Sequence, residues 1–316
     1  MLDIFVLIVM QTVVLLAAAP LIVGLIRKVK ARLQCRRGAS VFQPYADLVK
    51  LFHKRPVVSS TASWIFTATP YILFASTLAA GLLVPVFISR TPLSFAGNII
   101  ALVYLLALGT FFLMLAGLDA GSSFGGMGSS REAIVASLTE PAMMLSIFAI
   151  ALTAGSTNLS TIVHKTALLE GIVTDPSPHL MAFAALVIVA IAETGRVPVD
   201  NPATHLELTM IHEAMILEYS GRYLALVEWA AGLKLLVFLT LIANVSAPWG
   251  IATSMEPASL GIGLAAYLVK VSGLAVLIGI LESMFAKLRL FRVTDLLGAA
   301  FILALLGLIF FYVLRG

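Results

Sequence analysis

The sequence predicts an all-α, polytopic membrane protein, and its composition and its long apolar runs are the evidence. Hydrophobic residues make up 60% of the 316 residues, charged residues only 11%, and the mean hydropathy is +1.06. In soluble domains, about a quarter of the residues are charged. The apolar runs are too long for strands and lack the alternation of a membrane barrel, so they predict spanning helices.

Eight apolar runs approach or exceed the length of about 20 residues that a bilayer crossing requires. They cover Ile4–Ile26, Trp64–Ile88, Phe95–Leu118, Ala133–Ala154, His179–Ala192, Tyr223–Val245, Leu260–Met284 and Asp295–Leu314. The fifth run is the shortest, and Glu193 blurs its end. Since no soluble block separates the runs, residues 1–316 are predicted to form a single integral membrane domain.

The distribution of basic residues predicts the orientation. Fifteen Lys and Arg residues fall in the connections after the first, third, fifth and seventh runs, and three fall on the other face. These connections cover about 27–63, 119–131, 193–222 and 285–294. The positive-inside rule places them in the cytoplasm and both termini outside. The net charge of +4 then reflects topology and contact with anionic lipid, and no nucleic acid partner is expected.

The first two cytoplasmic connections have distinct patterns. Apolar residues between Tyr45 and Phe52 recur near helical spacing, which predicts a short amphipathic helix at the interface; a solvated linker is the alternative. Asp119–Glu132 holds four glycines, but no Lys-Ser/Thr pair follows, so a phosphate loop is rejected. A flexible or tightly turned loop is predicted, with Ser129 or Ser130 capping the next helix.

The third connection, Glu193–Arg222, concentrates ionisable residues in a chain that has few. It holds the carboxylates Glu193, Asp200, Glu207, Glu213 and Glu218, together with Arg196, Arg222, His205 and His212. Keeping such a cluster against a bilayer is costly, so a functional role is the default interpretation. The two histidines are expected to be hydrogen-bonded rather than metal ligands.

The same connection contains two prolines followed by a helical pattern. Pro198 and Pro202 prevent a regular helix between them. Beyond them an apolar stripe predicts an interfacial helix that leads into the sixth spanning helix. The stripe is formed by Leu206, Met210, Ala214 and Leu217.

Five ionisable residues fall inside the predicted spanning helices: Glu140, Glu228, Lys234, Lys270 and Glu282. A charged group facing lipid there costs about 2.5–3.5 kcal/mol. The lysines have snorkelling as an alternative, and Glu282 has an interfacial position near Lys287 and Arg289. Glu140, which Pro141 follows, is the hardest of the five to explain without a function, because a short carboxylate cannot snorkel far. Buried carboxylates of this kind are what a proton path requires.

Several segments resemble the complex I subunit 1 family. ETGRVPVDNPA resembles its signature E-x-x-R-x-P-F/V-D-x-P, RRGASVFQPYADLVKLF its basic first connection, and HEAMILEYSG its EYSG segment. SSREAIVASLTEPAMMLSIFAIALTAGSTNLSTIV is similar to its fourth helix. The matches span nearly the whole chain in order.

Departures from the pattern indicate a subfamily. The insert that quinone-linked members carry before QP is missing, and Ala203 and His205 stand where those members have acids. GLDAGSSFGGMGSSRE and PVDNPATHLELTMIHEAM resemble the membrane subunits of group 4 energy-converting NiFe hydrogenases. These occur in formate hydrogenlyase, hydrogenase-4 and Ech-type complexes. The lost acids put a quinone site in doubt.

The resemblance implies a role as a membrane anchor and coupling subunit, in the plasma (inner) membrane of a prokaryote. Hydrogenase-like large and small subunits would dock on the cytoplasmic side and antiporter-like subunits would lie in the membrane. The NiFe centre and iron–sulfur clusters are expected in those partners, and no cofactor in this chain. With Cys35 as its only cysteine, the chain cannot hold an iron–sulfur cluster of its own.

Two sets of site residues follow from the ionisable residues and the resemblance together. The proton (or sodium) path is assigned to Glu140, Glu193, Glu207, Glu218, Glu228, Lys270 and Glu282. The interface with the soluble arm is assigned to Arg36, Arg37, Asp47, Arg131, Arg196, Asp200 and Glu213. A quinone-chamber subunit of a complex I-like dehydrogenase and a stand-alone secondary transporter remain alternatives.

Overall fold

Long apolar helices dominate the computed structural model, which describes residues 2–89, 98–167, 177–201 and 210–315. The helices are α1 (Leu2–Leu33), α2 (Gln43–Phe52), α3 (Trp64–Leu83), α4 (Ile99–Asp119), α5 (Ser123–Ala154), α6 (Leu159–Ala167), α7 (Ser177–Glu193), α8 (His212–Ile216), α9 (Gly221–Ser246), α10 (Pro257–Met284) and α11 (Leu290–Arg315). In these ranges no β-strand forms beyond two isolated bridges. The all-α, polytopic fold class is confirmed.

Seven of the helices in the described ranges are long and apolar enough to cross a membrane: α1, α3, α4, α5, α9, α10 and α11. The predicted fifth span corresponds to α7, an apolar helix of 17 residues. At 1.5 Å per residue α7 is about 26 Å long, which is close to the shortest crossing length. The predicted count of eight spans is therefore approximate. Seven helices of the described ranges meet the length of a membrane span, and α7 is at its lower limit.

Helix α9 lies at the centre of the bundle and contacts α1, α3, α7 and α10. Of its most apolar window, 78% is buried, against 22% for α10 and 28% for α11. A polar side chain in the middle of α9, such as Lys234, therefore faces protein, whereas one on the outer faces of α10 or α11 faces the surroundings.

One end of the bundle, which we call the charged end, collects most of the ionisable residues. Here α1, α4, α7 and α10 end, and α3, α5, α9 and α11 begin. Side chains tie these ends together: the Asp119 carboxylate accepts hydrogen bonds from the backbone N–H groups of Ser63 (2.7 Å) and Phe66 (3.3 Å). Tyr219 donates to the Phe66 carbonyl at 2.9 Å and stacks on the Phe66 ring.

The first connection is shorter than predicted because α1 continues to Leu33, beyond Ile26. Basic residues suit the negative end of the helix dipole, and Lys30 gains a carboxylate partner. The predicted amphipathic helix is present as α2, whose Pro44 and Leu48 are buried while Val49 and Phe52 are exposed. The helical interpretation is confirmed, and the solvated linker is not.

The second connection was predicted wrongly. Helix α5 begins at Ser123, and Ser122 is the cap, its hydroxyl accepting from the Gly125 N–H at 3.1 Å. Ser129 and Ser130 lie inside the helix and are not its cap. Gly125 serves close packing, since a Cβ there would lie 2.4 Å from the Gly117 carbonyl oxygen of α4.

Two other predicted boundaries moved. The interfacial helix proposed for the third connection is reduced to α8, with Met210 before it and Leu217 just after it. Leu206 and the rest of residues 202–209 lie outside the described residues. Helix α11 begins at Leu290 rather than Asp295, so the last connection is only residues 285–289.

Candidate ion-coupling site

A cavity of about 550 Å³ opens inside the charged end, between α1, α2, α7, α8, α9 and α10. We call it the charged cavity because, counting only residues that the structure describes, twelve ionisable side chains line it. They are Arg27, Lys30, Arg36, Asp47, Glu193, Arg196, Asp200, His212, Glu213, Glu228, Lys234 and Glu282. Six carboxylates and five cations thus face one space within a largely apolar bundle.

The innermost ion pair joins α7 to α9. The Lys234 Nζ lies 2.7 Å from a Glu193 carboxylate oxygen, and the two side chains are only 8% and 6% exposed. The Lys234 ammonium also donates to the hydroxyl of Thr110 on α4 at 3.0 Å. Snorkelling is therefore not what Lys234 does, because its charge is held in the interior.

Two cations bracket Glu282 near the end of α10. Lys30 of α1 and Arg196 of the connection after α7 each approach one carboxylate oxygen at 3.0 Å, and the Glu282 side chain is 2% exposed. Glu282 therefore joins three parts of the chain. Its predicted neighbour Lys287 pairs with a different carboxylate, that of Asp200.

Asp200 organises the connection that follows α7. Its carboxylate accepts from Lys287 Nζ at 2.6 Å, from the backbone N–H of Asn201 at 2.8 Å, and from those of Ile211 and His212 at 3.1 Å each. The residue is 2% exposed. These bonds fasten both ends of the connection, and they fix α8 against the cavity.

Two cavity residues on α8 have pKa values displaced by their surroundings. Burial, with the nearby charges of Glu228 and Asp200, raises the pKa of the Glu213 carboxyl to about 7. Burial, followed by the charge of Lys234, lowers the pKa of the His212 imidazole to about 4. Glu213 can therefore take up or release a proton near neutral pH, whereas His212 stays neutral there.

Two carboxylates on α5 extend the charged cluster beyond the cavity. Glu132 is buried, and its electrostatic neighbours include Lys234, Glu193 and Glu140. Glu140 is half-buried and lies within electrostatic range of Glu193 and Lys234. The predicted residue Glu140 therefore adjoins the inner ion pair without lining the cavity.

The structure gathers eight of the predicted site residues in the charged cavity. They are Arg36, Asp47, Glu193, Arg196, Asp200, Glu213, Glu228 and Glu282. Other predicted residues lie elsewhere. Glu218 is exposed, and Arg37 is exposed with its carbonyl accepting from Lys28 at 3.0 Å. Arg131 donates to the Met210 carbonyl at 3.0 Å.

Lys270 lies far from this cluster. Its ammonium donates to the Trp249 carbonyl and sits 4.8 Å from the centre of the Trp249 ring, at the opposite end of the bundle. This contact agrees with the snorkelling alternative. Glu207 and His205 fall outside the described residues.

Five described residues of this cluster are in neither predicted set: Arg27, Lys30, Glu132, His212 and Lys234. Lys234 lies in a predicted span, and only its place on the central helix removes the snorkelling alternative. Arg27 and Lys30 fall in the predicted first connection, but their helix continues to the cavity wall. Within the described residues, no group of three or more His, Cys, Asp or Glu side chains could hold a metal ion.

The fold and the cavity define a class: a multi-pass, all-α membrane protein with a charged interior at one end. The family follows from comparison with known sequences. The model of the NADH dehydrogenase family, whose members are complex I subunit 1-like, matches residues 5–313. The chain therefore belongs to this family, and the resemblance inferred from the sequence motifs is confirmed.

Individual relatives differ in how much of this chain they match. Hydrogenase-4 component C of Escherichia coli is 36% identical over 300 residues, covering 95% of this chain and 93% of the relative. Formate hydrogenlyase subunit 4 of the same organism is 35% identical over 283 residues, covering 89% and 90%. A subunit of the NADH-quinone oxidoreductase of Rhodospirillum rubrum is 32% identical, but over only 63% of this chain and 60% of the relative.

A solved structure has the same fold. A chain of the archaeal membrane-bound sulfane sulfur reductase, a respiratory membrane complex, superimposes with a TM-score of 0.83. The alignment covers 97% of this chain and 99% of that chain at 21% identity. At this identity the comparison shows the fold alone.

Proposed function

We propose that this chain is the membrane-anchor and ion-coupling subunit of a multisubunit membrane-bound hydrogenase of the formate hydrogenlyase-like type. It links redox chemistry in a soluble arm to translocation of protons, or of sodium ions. The relatives named for hydrogenase-4 and formate hydrogenlyase match this chain over nearly their full length, whereas the NADH-quinone oxidoreductase relative matches over about three fifths.

The single observation that carries the coupling role is the charged cavity and its inward continuation. A space lined by Glu213, Glu228 and Asp47 near its mouth leads to the Glu193–Lys234 pair inside the bundle, with Glu140 adjoining it. Placing so many ionisable groups inside a membrane protein is expensive unless they move or balance charge. The pKa of Glu213, near 7, suits exchange of protons at that mouth.

The soluble arm is proposed to dock on the charged end, which the positive-inside rule assigns to the cytoplasm. Arg36, Arg37 and Lys50 are exposed there, beside the exposed apolar side chains of Phe42 and Val49. A mixed basic and apolar surface of this kind suits a protein partner. In this arrangement the NiFe centre and the iron–sulfur clusters belong to the large and small subunits, and the antiporter-like subunits lie beside the chain in the membrane.

Purification from the native host in mild detergent tests the assembly. An affinity tag on this chain should retrieve a nickel-containing subunit, detected by elemental analysis of the purified complex. Retrieval of a flavin-containing dehydrogenase module would favour the quinone-linked alternative. A chain that purifies alone from freshly solubilised membranes would favour a stand-alone transporter, and either result would overturn the hydrogenase assignment.

Proton translocation by inside-out vesicles tests the coupling role. Glu140→Gln keeps the shape of the side chain and removes its exchangeable charge, so it should abolish redox-driven acidification of the vesicle lumen while the complex still assembles. Glu256→Gln, an exposed change at the opposite end of the bundle, is the matched control. Full coupling with Glu140→Gln, measured for sodium as well as protons, would refute the proposed path.

A further inference from the structure

Lys234 holds an unusual position for a lysine in a membrane bundle. It sits in the middle of the most buried helix, where its ammonium contacts Glu193 at 2.7 Å and Thr110 at 3.0 Å. Both side chains line the charged cavity, and Lys234 also lies within electrostatic range of Glu132 and Glu140 on α5. Lys234 therefore adjoins both the cavity and the carboxylates of α5.

The balance of charge around Lys234 is uneven. Glu132, Glu140 and Glu193 all lie within its electrostatic range, and it is the cation that acts on both Glu132 and Glu140 among the described residues. One ammonium can offset the charge of one carboxylate. In a medium of low polarity the carboxylates therefore compete for this ammonium. Protonation of one carboxylate then changes the proton affinity of the others.

We infer that Lys234 is the positioning residue that passes charge between the cavity and Glu140, an inference that rests on the proposed coupling function. In the resting arrangement its ammonium pairs with ionised Glu193. When a proton from the cavity binds the Glu193 carboxylate, that ion pair is broken and the Lys234 charge is released from it. Glu140 is protonated in the resting arrangement. The freed charge stabilises its ionised form, so Glu140 gives up its proton to water or to a carboxylate of an adjoining membrane subunit.

The step conserves charge and atoms. One proton enters at Glu193 as one leaves Glu140, while Lys234 remains an ammonium throughout. The net charge of the three groups is unchanged, so no uncompensated charge is created inside the membrane. The only movement required is that of a flexible lysine side chain, held by one hydroxyl and one carboxylate.

The test measures protons translocated per hydrogen molecule formed, in inside-out vesicles that carry the whole complex. Lys234→Met removes the charge at similar volume and should lower this ratio at least tenfold, whereas Lys234→Arg should retain part of it. Thr240→Val is the matched control, since it removes a buried polar group from the same helix without changing charge. It should leave the ratio unchanged.

A double variant separates this role from a merely structural one. Lys234→Met alone leaves Glu193 without its partner and is expected to reduce the amount of assembled complex. Adding Glu193→Gln removes the unpaired charge, so assembly should recover while the proton ratio stays low. Recovery of both would show that the pair only holds the helices together and would overturn the inference.

The Glu140→Gln variant distinguishes a failure of this inference from a failure of the proposed function. If Glu140→Gln uncouples the complex but Lys234→Met keeps the wild-type ratio, the inference about Lys234 fails and the proposed function stands. If both variants keep the wild-type ratio, the coupling function itself fails.

Discussion

Replacing Asp200 should weaken the charged end by an amount that depends on which acceptors remain. In wild type its Oδ2 accepts from the N–H groups of Ile211 and His212, and its Oδ1 from Lys287 and Asn201. An Asn side chain has one acceptor oxygen in place of two. That oxygen should turn to the two backbone N–H groups, because these are fixed in place whereas the flexible Lys287 side chain is 19% exposed and can reach water.

The magnitude follows from what each variant loses. Asp200→Asn loses the ion pair and one weaker bond, which corresponds to about 2 kcal/mol. Asp200→Ala leaves all the donors without their carboxylate, three of them backbone groups, and should cost about 4 kcal/mol, in the range measured for broken buried pairs. Asp200→Ala is therefore expected to lower the free energy of unfolding about twice as much as Asp200→Asn.

Equilibrium unfolding in mild detergent measures these differences, with tryptophan fluorescence as the signal. Trp64 is exposed and Trp229 partly buried, and both lie near the charged end and report on it. Glu256→Gln also removes one carboxylate charge, at an exposed site, and should stay within about 0.5 kcal/mol of wild type. If Asp200→Ala fell in that same interval, Asp200 would not organise the connection.

Three further expectations concern packing, pH and topology. Gly125→Ala should destabilise the chain by about 1–3 kcal/mol because its Cβ meets backbone, whereas Gly126→Ala meets nothing within 4 Å and should stabilise by up to about 1 kcal/mol; thermal unfolding of both variants checks this. The raised pKa of Glu213 makes its contribution to stability fall as pH rises from 4.5 to about 7, and the lowered pKa of His212 makes its contribution rise from about 4 to 6.5. Glu213→Gln should therefore gain stability relative to wild type across pH 4.5–7 in unfolding titrations, and no gain would contradict the assignment. Cys35 is exposed, so an impermeant maleimide should label it in inside-out vesicles and not in intact cells; the opposite pattern would reverse the predicted orientation.

The spans could be predicted from sequence because length and apolarity alone define them. The ends could not, since a helix end depends on local partners. Helix α1 continues past Ile26 because Lys30 finds Glu282, a residue some 250 positions later in the chain. Helix α5 begins early, where Gly125 fits against α4 and Gly128 against α8, although a run of glycines is by itself typical of a loop.

Only part of the site could be predicted from the sequence, for the same reason. The motif around Glu193 supplied Arg196 and Asp200, which lie close together in the sequence and in space. Lys234 could not be assigned, because a lysine on a spanning helix can snorkel or face inward, and only the surroundings of α9 decide between them. Lys270 shows the other outcome: on the outlying helix α10 it turns to Trp249.

Helices α1 and α5 have 32 residues each, or about 48 Å, well beyond the roughly 30 Å of hydrocarbon that a bilayer offers. Even at a tilt of about 40° they would overshoot it. Part of the charged end is therefore built from rigid helix rather than from loop. When a partner binds to such a preformed helical surface, little of this chain has to become ordered. Less conformational entropy is therefore lost on association. If a soluble arm docks there as proposed, a preorganised platform of this kind needs no remodelling for each new arm, which fits a family whose members bear the names of chemically different enzymes.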